Sequence, residues 1–165
     1  MIGKWDAYHT VKRFFGRDDA TYRRAAQWLA GRGLVEDWGC GCGWAEQFFP
    51  EYRGIDGSGP FAQERVDLRT YRSSVPCALM RHVLEHNDDW RLVLANFLAS
   101  FQKRGCLILF TPLVEQEQRG LAIDDIPNIN LPRDEFLSTI QPFLVKAEAI
   151  GEEMVFYLEK ADCTT

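Results

Sequence analysis

Val35-Glu-Asp-Trp-Gly39-Cys-Gly41-Cys-Gly43, followed after a short gap by Tyr52-Arg-Gly-Ile-Asp56, is the stretch on which the fold of this chain turns. Gly33 to Trp38 reads as a short strand, and three alternating glycines lead from it into a brief helix, Trp44 to Phe49, stopped by Pro50. Such a glycine turn lets backbone approach a ligand closely, because no Cβ intervenes and a positive φ carries little penalty. The dinucleotide fingerprint is Gly-x-Gly-x-x-Gly, whereas here the third glycine comes one residue early. Tyr52 to Asp56 reads as a second strand, about a dozen residues on, close to the minimum for a parallel crossover. Asp56 ends it about 19 residues after Asp37, where a carboxylate can accept both hydroxyls of a ribose. The glycines alone also fit a plain tight turn; Asp56 is what argues for a ligand.

Outward from this stretch, strands and helices alternate. Asp18 and Asp19 supply N-cap chemistry for a helix whose apolar face is Tyr22, Ala25, Ala26 and Leu29, ending near Gly31 or Gly33. Val66-Asp67-Leu68 reads as a third strand, and Val75 to Val83 as a strand buried on both faces. Asn87, Asp88 and Asp89 offer caps for a helix carrying Trp90, Val93, Leu94, Phe97, Leu98 and Phe101. Gly105 to Thr111 is another buried strand, closed by Pro112. Leu131-Pro132 opens a helix with Phe136, Leu137 and Ile140, which Pro142 ends. Phe143 to Ile150 and Met154 to Lys160 then form a hairpin around Gly151-Glu152-Glu153. This is an α/β pattern: a twisted, mostly parallel sheet with helices on both faces and an antiparallel strand from the terminal hairpin. In such sheets the ligand crevice lies outside the carboxyl ends of the strands, where the strand order switches.

Composition narrows the class. The chain has 165 residues, 46% hydrophobic and 26% charged, which predicts one globular domain over 1–165. Within it, 1–32 would be N-terminal helices, 33–111 the ligand-binding half, and 112–165 a loop, a helix and the hairpin. A formal charge of −5 weighs against non-specific nucleic-acid binding, which needs clustered cations. Five cysteines at these spacings do not suggest a secreted disulfide framework, and Cys77 and Cys106 lie in apolar runs. The start, MIGKWDAYHTVKRFF, has no continuous apolar core, and no stretch approaches a membrane span. A cytoplasmic protein is expected.

At this point the sequence resembles the class I S-adenosylmethionine-dependent methyltransferases. VEDWGCGCG looks like their first motif, YRGIDGS like the second, and Val66-Asp67-Leu68 like the adenine-side motif. LMRHVLEHNDDW looks like the motif after the fourth strand in the ubiquinone-biosynthesis-like branch. The likeness spans Gly33 to Thr111, and the terminal hairpin fits the family's seventh, antiparallel strand. The resemblance implies a Rossmann-like, seven-stranded fold with S-adenosylmethionine as cofactor and S-adenosylhomocysteine as product. It implies that Asp37, Gly39, Gly41 and Gly43 line the methionine and sugar, and that Asp56, with Gly57 beside it, holds the ribose. It further implies that Asp67 and Leu68 meet the adenine edge, and that the main chain of Arg81 meets the methionine amino group.

His82-Val-Leu-Glu-His86 admits three readings: packing, a metal site formed with Glu85, or a proton acceptor. The zinc-protease order is His-Glu-x-x-His, which this is not. His82, closest to the strand end, is the candidate base. Cys40-x-Cys42 lacks the second cysteine pair of a metal clip, so no metal is expected. Pro112 to Leu131 has no clear pattern; it would cover the acceptor pocket, where Glu115, Glu117, Asp124 and Asp125 would repel a polyphosphate. Trp5, Tyr8, His9, Arg13, Phe14 and Phe15 would form either another pocket wall or a plain packing helix. The expected function is methyl transfer to a hydroxyl or amine of a small molecule. A catalytically silent cofactor-binding partner subunit is the alternative, and the glycine spacing disfavours a nicotinamide enzyme. Acceptor atom and oligomeric state stay open at this level.

Overall fold

The computed structural model describes residues 3, 5–11, 19–121 and 126–161. Its frame is a seven-stranded sheet in the order β3-β2-β1-β4-β5-β9-β8. The strands are β1 (Val35–Trp38), β2 (Tyr52–Asp56), β3 (Glu64–Arg65), β4 (Val75–Arg81), β5 (Phe101–Leu109), β8 (Leu144–Ile150) and β9 (Glu153–Glu159). The first five pair in parallel, and β9 runs antiparallel to both β5 and β8. The α/β fold with an antiparallel strand from the terminal hairpin is therefore as the pattern predicts. Strand order switches between β1 and β4, so the carboxyl ends of these two strands open the crevice.

The sheet carries a core on each face. Helix α1 (Ala20–Leu29) covers one, where Tyr22, Ala25 and Leu29 pack with Cys77, Cys106 and Tyr157. Helices α2 (Trp90–Ser100) and α3 (Arg133–Ile140) serve the other, built from Trp38, Phe97, Phe101, Phe136 and Phe156. Cys77 and Cys106 are fully buried free thiols, behaving as small hydrophobes.

Several expectations need correction. Asp19 does not cap α1 through its side chain; its carboxylate instead takes Arg23 Nε and Nη2 at 2.8 and 3.0 Å, an i,i+4 pair. Asp18 lies outside the described residues. At α2 the cap position is Asp89, again without a side-chain cap bond, because Asp88 is paired with Arg119 and Asp89 with Arg69, while Asn87 donates to the Val83 carbonyl. The helix expected after Gly43 is a 3-10 turn, Trp44–Phe48, compressed between the glycine turn and Pro50. The third strand is Glu64–Arg65 and not Val66-Asp67-Leu68. Asp67 ends it by accepting the Arg69 N–H at 3.0 Å, a local bond that competes with a ladder.

Phe101 is the first residue of β5 and not the last of α2. The polar Gln102-Lys103-Arg104 that follows obscures this strand start in the sequence. Pro112 to Leu131 is not patternless either. It contains a hairpin of β6 (Gln118–Leu121) and β7 (Pro127–Asn130), with Asp124 and Asp125 outside the described residues.

Candidate functional site

Gly39, Gly41 and Gly43 have φ of 73°, 53° and 66°, left-handed values that a Cβ would strain. Space matters as well as torsion: a Cβ on Gly39 would fall 2.4 Å from a Val83 methyl, and one on Gly41 would fall 3.3 Å from His9 Nε2. The N–H groups of Gly39 and Cys40 both donate to the Ile55 carbonyl, at 2.8 and 3.1 Å, which locks the turn against β2. The Gly41 N–H donates to Asp56 Oδ2 and the Ser58 N–H to Oδ1, each at 2.8 Å. Burial pushes the Asp56 carboxyl up, while these N–H groups and the charge of His9 pull it down.

This turn forms the floor of a cavity of about 220 Å³ at the switch in strand order. Of the residues expected there, Gly39, Gly41, Asp56, Gly57, Leu68, Arg81 and His82 line it. Asp37, Gly43 and Asp67 do not. Asp37 is buried behind the wall, accepting the Tyr52 hydroxyl at 2.8 Å, and burial pushes its carboxyl up to about 7. Asp67 spends its carboxylate on Arg69, which holds it well below the usual range, while its neighbours Val66 and Leu68 face the cavity. A glycine cradle that admits no Cβ, beside a buried carboxylate at a strand end, fits a ribose-bearing cofactor.

The N-terminal residues complete the wall. Trp5 and His9 line the cavity with their rings stacked 5.7 Å apart, and Trp5 meets His86 edge-on at 5.0 Å. The Trp5 N–H donates to Ser58 Oγ, the Gly59 N–H donates to Asp6 Oδ1, and Asp6 pairs with Arg65. Residues 5–8 form a single turn here, so the wall reading holds for Trp5 and His9; Arg13, Phe14 and Phe15 lie outside the described residues.

His82 has a φ of 56°, the one positive value among described non-glycine residues. Its Nε2 lies 3.0 Å from Glu153 Oε1, which accepts from Arg81, but Nε2 itself is buried with no hydrogen-bond partner among the described residues. His86 Nδ1 reaches the Pro127 carbonyl at 2.7 Å; since a carbonyl only accepts, this nitrogen carries the proton. Glu85 is fully buried, accepting the Phe110 N–H at 2.8 Å. His82, Glu85 and His86 thus turn to three different partners, and among the described residues no cluster of three or more ligands could hold a metal. Glu117 belongs elsewhere too, bound by Trp90, Arg91 and Arg119 on the α2 side.

The sequence reading missed Tyr22, Trp44, Val83, His86 and Asn87 as cavity walls, and it missed Glu153 beside His82. A search for paired histidine and carboxylate beyond the local motif would have needed the strand order, because β9 brings Glu153 back to the end of β4.

No family model and no curated protein matches the sequence. Solved structures do. A Burkholderia thailandensis 1,6-didemethyltoxoflavin-N1-methyltransferase, with 1,6-didemethyltoxoflavin and S-adenosylhomocysteine bound, is similar over 88% of this chain and 80% of its own, at TM-score 0.64 and 17% identity. The magnesium protoporphyrin IX methyltransferase of Synechocystis PCC 6803, with S-adenosylhomocysteine bound, is similar over 87% and 83%, at 0.65 and 15%. The mitomycin 7-O-methyltransferase is similar over 86% of this chain but 53% of its own, at 0.59 and 15%. The ubiquinone-biosynthesis-like branch gains no support from these neighbours. No helix among the described residues is long and apolar enough to cross a membrane. With its strand order, its glycine turn and these neighbours, the chain has the fold of the class I S-adenosylmethionine-dependent methyltransferases.

Proposed function

We propose that the chain transfers a methyl group from S-adenosylmethionine to a hydroxyl or amine of a small molecule. The observation that carries this reading is the pairing of the glycine turn with the Asp56 carboxylate in one cavity at the switch point. Gly39 and Gly41, backed by Gly43 and Asp37, would accommodate the methionine and sugar. Asp56, with Gly57 beside it, would accept the ribose hydroxyls, and Val66 and Leu68, beside Asp67, would flank the adenine. The main chain of Arg81 would meet the methionine amino group. When bound, the sulfonium supplies an already activated methyl carbon, so the protein's task is chiefly to hold the acceptor in line. Small-molecule acceptors are consistent with neighbours named for a toxoflavin precursor and a mitomycin. The silent-subunit alternative gains no observation.

Calorimetry with S-adenosylhomocysteine tests the assignment. Charged hydrogen bonds contribute roughly 1.5–3 kcal/mol each, so Asp56→Ala should weaken binding by about tenfold or more. A folded Asp56→Ala protein with wild-type affinity would refute the ribose role, and a wild type that binds no S-adenosylhomocysteine would refute the cofactor. Methyl transfer is then read with isotopically labelled S-adenosylmethionine against a panel of phenols and primary amines.

A further inference from the structure

We propose that Asn87, and not Asp67, reads the purine of the cofactor, its side-chain oxygen accepting a hydrogen from the adenine amino group. The inference rests on the methyltransferase reading for its ligand. To that reading it adds the residue that tells an aminopurine from its oxo counterpart.

Asp67 is already committed. Its Oδ1 accepts the Arg69 N–H at 3.0 Å and Arg69 Nε at 2.9 Å, and its Oδ2 accepts Arg69 Nη2 at 2.6 Å. Arg69 in turn reaches Asp89 at 3.5 Å. The carboxylate therefore faces a guanidinium, and Asp67 is not among the cavity walls. Turning it inward would break a charge-assisted, bidentate pair.

The residues around it do face the cavity. Val66 and Leu68 line it from the loop after β3, and Val83 from the turn after β4; all belong to the core that holds Trp90. The loop and α2 are tied together, because Asn96 Nδ2 donates to the Leu68 and Arg69 carbonyls at 3.0 and 2.8 Å. Asn87 lies just ahead of α2, between this loop and the turn after β4, and it too lines the cavity. The apolar side chains suit the faces of a flat heterocycle, and Asn87 supplies a polar group at its edge.

Hydrogen bonding fixes which way the amide points. Asn87 Nδ2 donates to the Val83 carbonyl at 2.6 Å. A carbonyl only accepts, so turning the amide over would set two oxygens against each other. The backbone is held as well: the Asn87 N–H donates to the Leu84 carbonyl at 3.1 Å, and the Asn87 carbonyl accepts the Trp90 N–H at 3.0 Å. That leaves Oδ1, an acceptor on a half-buried side chain, with no hydrogen-bond partner among the described residues. An acceptor held in this way welcomes an amino group and opposes a keto oxygen.

S-inosylhomocysteine carries an oxygen where S-adenosylhomocysteine carries the purine amine, so calorimetry with the two ligands tests the contact. Wild type should prefer the adenosyl ligand by about tenfold or more. Asn87→Ala should weaken the adenosyl ligand by about tenfold and leave the inosyl ligand no weaker, so that the preference disappears. Asp67→Asn should keep the wild-type preference. Loss of the Val83 bond alone would weaken both ligands alike, so a folded Asn87→Ala protein that retains the preference overturns the proposal. A preference lost in Asp67→Asn and kept in Asn87→Ala would return the purine to Asp67. Equal binding of the two ligands by wild type overturns the proposal without any variant, so a misfolded Asn87→Ala protein cannot shield it. The two readings fail differently: a wild type that binds neither ligand removes both, whereas S-adenosylhomocysteine binding with no preference between the purines removes the Asn87 role alone.

Discussion

Glu85 shows what one buried group does to the whole balance sheet of protons. Its side chain is fully enclosed, one oxygen taking the Phe110 N–H and the other having no partner, and burial pushes the carboxyl up to about 7 from 4.5. A folded-state value above the unfolded one means stability that is complete below about pH 4.5 and lost as pH rises towards 7. Glu85→Gln removes that dependence while keeping an oxygen for Phe110. Relative to wild type, the variant should gain up to about 3 kcal/mol between pH 4.5 and 8 in urea melts. An unchanged difference across this range would mean that Glu85 stays ionised in its enclosure. Asp37, also near 7, is common to both proteins and cancels.

Legibility at this scale followed chemical type. Glycines and Asp56 announce themselves because few residues tolerate their torsions or end a strand with a charge. Glu153 reads only as part of a turn, since Arg81, its ion-pair partner, lies some seventy positions away. Asp67 was placed on the adenine side by motif, yet its carboxylate is taken by Arg69 two residues on, a competition that spacing does not reveal.

Among the elements, β1, β2 and β4 were legible because their inward residues are uniformly apolar or lie beside the glycine turn. β6 and β7 were not. All four residues of β6 are exposed, and the hairpin is anchored from outside, by His86 on the Pro127 carbonyl and Thr111 on the Ile129 carbonyl. The α2–β5 junction was misplaced because an amphipathic count runs through Phe101 without interruption. Its ring folds back over Gly105, where an added Cβ would fall 2.9 Å from Phe101 Cε1. Gly105→Ala should therefore cost about 1–3 kcal/mol in urea denaturation, and Phe101→Leu should recover part of it in the double variant. Additive losses would show that the ring does not occupy that space.

For the molecule as a whole, binding and stability are linked. At about 100 times its dissociation constant, S-adenosylhomocysteine should add about 2.7 kcal/mol on the proposed reading, which for a chain of this length is a rise in Tm of about 5–10 °C. NAD should leave the melting curve flat, given the glycine spacing; a larger rise with NAD would overturn the cofactor assignment.

The threading of β9 has a consequence for how the molecule is made. Translation delivers the strands in numerical order, but the sheet places the final one between β5 and β8. A nascent chain halted at Gly151 would hold two strands that share no hydrogen bond, with the cores on both faces of β5 open to water. Folding of the C-terminal half must therefore wait for the last strand, and such exposed intermediates are the ones that call on chaperones. Glu153 is the first residue of that strand, so Arg81, which lines the cavity, gains its carboxylate partner only as the sheet closes.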